Sequence, residues 1–93
     1  MKQDDLIPVK EFCIHHNVEY SFIISLENSG LISIRSVKRS PFIHVNEMHK
    51  LEKFVRLHYD LDINLEGIET INYLLERIEE MQQEILKLKN RKE

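Results

Sequence analysis

Apolar and polar positions alternate along this chain with helical spacing for most of its length. Val9, Phe12, Cys13 and His16 fall at i, i+3, i+4 and i+7, one face of a helix. Leu6-Ile7-Pro8 precedes them as a short extended piece, and Pro8 suits a first helical turn. Asn17 can end that helix in a left-handed conformation, and Val18-Glu19 supplies a tight turn. A second helix is predicted from about Tyr20 to Asn28, with Gly30 as its stop. Leu31–Ile34 and Phe42–Val45 are β-branched runs flanking the polar, basic SVKRSP segment, so they predict a hairpin. No Asn-Gly fixes its turn type. Asn46 is the expected cap of a third helix carrying Met48, Leu51, Val55 and His58 on one stripe.

After a break at Tyr59–Ile63, Asn64 caps a fourth helix with no stop signal until about Asn90. Ile71, Leu74, Ile78, Met81, Ile85 and Leu88 alternate three and four residues apart, the a/d seam of a coiled coil. A seam of that length calls for a helical partner, so a homodimer is expected. Helix, turn, helix and hairpin make a mainly α, winged helix-turn-helix layout over residues 1–63. The dimerisation helix takes 64–93.

Charge along the fourth helix is divided. From Asp60 to Leu86 there are eight acids and one base, Arg77; Lys87, Lys89, Arg91 and Lys92 then cluster at the end. Acids early and bases late suit the helix dipole. An antiparallel pair centred near Ile78 and Met81 sets Ile71 against Leu88 of a second copy, and Leu74 against its Ile85. All six seam residues are then matched, and Arg77 lies near the other chain's Glu84.

Composition narrows the function. The chain has 93 residues, one domain's worth, and a net charge of −3. A dedicated nucleic-acid binder carries a basic excess, which is absent here. No Lys or Arg occurs between Lys10 and Arg35, a stretch that takes in the turn and the whole second helix. The single cysteine, Cys13, lies on an apolar stripe and is expected as a buried small hydrophobe. With no signal peptide or membrane span in the sequence, the expectation is a cytoplasmic chain. Five histidines lack zinc-site spacing; His16 and His58 are expected to be partly buried and hydrogen-bonded. No phosphate loop or nucleophile motif is visible, so a non-enzymatic chain with no cofactor and no metal is expected.

These residues together resemble the MerR-type winged helix. VKEFCIHHNVEYSFIISLENSGLI follows that family's first two helices, ending in Glu-x-x-Gly-Leu at Glu27, Gly30 and Leu31. NLEGIETINYLL is similar to the start of its dimerisation helix. EFCIHH, SGLI and FVRLHYDLDINLEGIETINYLLERI resemble, more closely, the CbpM-like chaperone modulators. That resemblance implies a MerR-like winged helix-turn-helix with a small β-hairpin wing and a long C-terminal coiled-coil dimerisation helix. It also implies a partner, the J-domain of a DnaJ- or CbpA-type co-chaperone, whose stimulation of a DnaK-type ATPase is blocked. DNA-binding MerR proteins place Arg-Tyr-Tyr-Glu in helix two, where Arg and Tyr contact phosphate. Here the corresponding residues are Ile24-Ser25-Leu26-Glu27. Losing those contacts removes much of the salt-dependent affinity for DNA and leaves an apolar face, Ile24 included, suited to protein.

Charge suggests where a basic helix of the J-domain would dock: Asp60, Asp62, Glu66 and Glu69. The wing keeps Arg35, Lys38 and Arg39 for weak residual DNA contact. The alternative readings are a MerR-family DNA-binding transcriptional regulator and a dimerisation adaptor with another partner.

Overall fold

The computed structural model describes residues 5–91. Its elements are β1 (Leu6–Pro8), α1 (Val9–His16), α2 (Tyr20–Asn28), β2 (Arg35–Val37), β3 (Ser40–His44), α3 (Met48–Tyr59) and α4 (Leu65–Arg91). A 3₁₀ turn, Val45–Glu47, leads into α3. The helices lie where the apolar stripes predict them.

The first two helix stops have one chemistry. Asn17 (φ 57°) and Gly30 (φ 79°) are in the left-handed region. The Val18 amide donates to Cys13 O at 2.9 Å, and the Leu31 amide to Leu26 O at 3.0 Å. Each bond satisfies a last-turn carbonyl and folds the next apolar residue inward. Val18 and Leu31 are accordingly buried.

That ending corrects the strand expected at Leu31–Ile34. Leu31 and Ile32 are 6% and 4% exposed and belong to the core. Leu31's amide is already committed to α2, so it cannot enter a ladder. The hairpin strand begins at Arg35 instead. It pairs with β3 in the register Arg35–Phe42 to Val37–Ser40, around a two-residue turn of Lys38 and Arg39. Both turn residues have positive φ, 51° and 68°, as a type I′ hairpin turn requires. β1 adds a third strand on the other side of β3, with Leu6 opposite His44 and Pro8 opposite Phe42.

A second correction concerns Asn46, which is not the cap of α3. His44 caps the 3₁₀ turn, its Nδ1 accepting the Asn46 amide at 3.2 Å. The Glu47 carboxylate, just before α3, accepts the Ser33 amide at 3.0 Å and so ties the loop after α2 to the start of α3.

Val9, Phe12, Ile23, Leu26, Ile43, Leu51, Phe54 and Ile68 form the centre of the core, drawn from all four helices and β3. Full burial of each large side chain contributes roughly 1.5–3 kcal/mol. Ile68, at 0% exposure, anchors the first turns of α4 in that core. Beyond Asn72, every described residue of α4 is exposed.

Candidate functional site

α2 turns Phe22, Ile23 and Leu26 into the core. Its remaining positions include exposed Tyr20, Ser21 and Asn28, with Ile24, Ser25 and Glu27 half-buried. The helix therefore offers no cation to phosphate. It also offers less apolar surface than its sequence suggests, because Ile24 is half-buried by its surroundings. The most exposed apolar residue of the helix-turn-helix is Ile14, at 81%. Ile14 borders an open groove of about 420 Å³ shared with Ile7, Phe12, His16 and Met48. Its place outside the stripe of 9, 12, 13 and 16 was the available signal.

The wing carries the cations. Arg35, Lys38 and Arg39 are all exposed. No acid occurs between Glu27 and Glu47, and the Glu47 carboxylate is engaged by the Ser33 amide. The hairpin is thus a small basic projection with two cations at its tip.

The third surface is the corner between α3 and α4. An aromatic stack fixes it. The His58 ring lies over Phe22 at 4.4 Å between centroids and 13° between planes, and Tyr59 meets Phe22 edge-on at 5.6 Å. His58 Nδ1 lies 2.8 Å from the Ile63 carbonyl, which accepts the hydrogen bond and closes the corner. The Tyr59 hydroxyl accepts the Glu19 amide at 3.1 Å, bringing the start of α2 to the same place. Asn64 caps α4 as predicted, its Oδ1 accepting the Gly67 amide at 2.9 Å. Gly67 is there for room: a Cβ would lie 2.6 Å from Ile63 Cγ2 and 3.2 Å from Asn64 Oδ1.

The structure leaves all four corner acids, Asp60, Asp62, Glu66 and Glu69, exposed. Asp60 lies 4.0 Å from Arg56, both side chains well solvated, so that pair contributes little. Leu61, between the two aspartates, is 62% exposed. Along α4 the seam residues Leu74, Ile78, Met81, Ile85 and Leu88 are 46–57% exposed, and Ile71 is half-buried. From Leu74 onward they form a long apolar strip that the described residues leave open.

Other candidates offer less chemistry. Cys13 is half-buried, packs against the core, and burial pushes its thiol above the usual range. His16 is half-buried against Phe12, ring centroids 4.1 Å apart. Among the described residues no three His, Cys, Asp or Glu side chains are grouped to hold a metal, and no helix is long and apolar enough to cross a membrane.

The family model described as MerR HTH family regulatory protein matches residues 7–90. No curated protein and no solved structure matches the chain.

Proposed function

The chain belongs to the MerR HTH regulatory family, and from that premise we propose a protein-interaction role for it. It acts as a CbpM-like modulator: a homodimer that binds the J-domain of a DnaJ- or CbpA-type co-chaperone and blocks its stimulation of a DnaK-type ATPase. One observation carries this reading. The helix that would lie against DNA has no Lys or Arg anywhere between Lys10 and Arg35, while an exposed acidic corner stands at Asp60, Asp62, Glu66 and Glu69. Phosphate repels such a surface, whereas the basic helix of a J-domain complements it. The resemblance of FVRLHYDLDINLEGIETINYLLERI to the modulators supports the same choice.

The dimer part of the reading rests on the exposed strip from Leu74 to Leu88. Six seam residues on a 27-residue helix offer one continuous apolar face, and an antiparallel copy matches every position.

A DNA-binding regulator is the second reading, favoured by the exposed wing cations Lys38 and Arg39. Phosphate contacts from a wing tip alone supply non-specific affinity, about 10⁻⁴–10⁻⁶ M at physiological salt. The deciding experiment measures DnaK-type ATPase stimulated by a J-domain co-chaperone, with and without this chain. Inhibition supports the modulator. Unchanged ATPase together with nanomolar binding to one DNA sequence establishes the regulator instead.

A further inference from the structure

The two ends of α4 carry opposite charge and cannot meet within one molecule. The helix runs from Leu65 to Arg91, roughly 40 Å at ~1.5 Å per residue. Between Asp60 and Glu76 the sequence has no base, and between Ile85 and Lys92 it has no acid. Asp60 has Arg56 of its own chain 4.0 Å away, but that pair is solvated and weak, so most of the charge at each end is open to a complement from another chain.

The seam says which chain and how. Its centre lies between Ile78 and Met81. From there the helix extends about 22 Å back to Leu65 and about 18 Å forward to Arg91. In an antiparallel pair with that centre, the C-terminal end of one α4 stops about 4 Å short of the start of the other, within side-chain reach of its α3–α4 corner. Heptad spacing continues the match beyond the hydrophobic seam. Arg77 and Glu84 occupy flanking g positions that face each other across the pair, and Arg91 comes level with Ile68 at the root of the other helix. The corner it reaches is the one that leaves Leu61 62% exposed between two solvated aspartates.

We propose that this corner is a two-chain site: Lys89 and Arg91 of a second copy seat against Asp60, Asp62 and Glu66, and their aliphatic stems cover Leu61. The proposal rests on the dimeric reading above and adds its consequence. The acids offered to a basic partner are the acids that close the dimer. A J-domain helix then gains the corner only by displacing the end of α4, so self-association and partner binding oppose each other, reciprocally.

The test is a charge swap read on the dimer alone. One variant reverses the tail (Lys89→Glu, Arg91→Glu), a second reverses the corner (Asp60→Lys, Asp62→Lys, Glu66→Lys), and a third combines them. Sedimentation equilibrium at ~150 mM salt gives each dimer Kd, and circular dichroism checks that each variant keeps its helix. Several exposed pairs at two corners should make each single reversal raise Kd by about tenfold or more. The combined variant should return to within about threefold of the parent. If its losses add instead of cancelling, or if the parent is monomeric, or if either reversal leaves Kd unchanged, the two-chain corner is refuted. J-domain binding takes no part in this measurement, so a dimer that passes while ignoring every J-domain would overturn the functional reading and leave this one standing.

Discussion

The Tyr59 hydroxyl accepts the backbone amide of Glu19 at 3.1 Å, across forty residues of sequence. That bond joins the turn of the helix-turn-helix to the corner that launches α4. Tyr59→Phe keeps the ring edge-on to Phe22 but leaves the Glu19 amide without this acceptor. A loss of about 0.5–1.5 kcal/mol follows, a fall in Tm of roughly 4–8 °C per kcal/mol for a domain this size. Thermal denaturation of the two proteins checks it; an unchanged Tm would mean that water replaces the hydroxyl at no cost.

Gly67 should resist the usual gain from alanine. Ala is better than Gly in a helix interior by about 1 kcal/mol. Here the new methyl meets Ile63 Cγ2 at 2.6 Å, and Ile63 packs against the core. Gly67→Ala is expected to lower stability in the parent and to raise it in an Ile63→Ala background, where the clashing methyl is gone. Denaturant midpoints of the four proteins form the cycle, and the same sign in both backgrounds would contradict the account.

The wing tip holds Lys38 and Arg39 in a conformation that favours Asn and Gly. Replacing them with Asn-Gly should relieve about 1–2 kcal/mol of backbone strain and raise Tm while leaving the register of β2 on β3 intact. Residual binding to random DNA should weaken in the same variant, because the two tip cations are gone. A lower Tm would show that these side chains have stabilising contacts the turn depends on.

Cys13 provides a pH dependence. Burial raises its thiol in the folded chain. Above the usual thiol range the unfolded chain ionises first and binds fewer protons than the folded one, so stability contributed by this group falls as pH rises. Relative to Cys13→Ala, the parent should lose stability as pH rises through and above the ordinary thiol range, and match it in slope below about pH 7. Alkylation by iodoacetamide at pH 8.5 should be slower in the native chain than in urea. Equal rates would place the thiol in open solvent.

The helices were legible in the sequence because each carried both a stripe and a stop: Asn17, Gly30 and Asn64 each cap or end a helix as read. The strands were less so, for a physical reason. Leu31 and Ile32 have the composition of a strand, but the bond from Leu31 to Leu26 claims them for the end of α2. Periodicity alone does not register that competition. The turn at Lys38-Arg39 also lacks the residues that announce its type. Phe54 lies beside the stripe read for α3, yet is fully buried, because the core wraps more of that helix than one row. At the candidate surfaces, the acids and the seam were visible as charge and heptad pattern. The closed corner was not, since it depends on Phe22 and Glu19 arriving from α2.

The most direct test of the central claim is calorimetric titration of the chain with the J-domain of a DnaJ- or CbpA-type co-chaperone at two salt concentrations. The account predicts saturable binding that weakens as salt rises, since exposed charges are screened within about 8–10 Å near physiological ionic strength. Reversing Asp60, Asp62, Glu66 and Glu69 to Lys should weaken it further, chiefly through slower association, while Ile24→Arg leaves it near the parent value. Binding lost in Ile24→Arg and kept in the fourfold reversal would move the interface to α2. No binding to the J-domain at all would contradict the account.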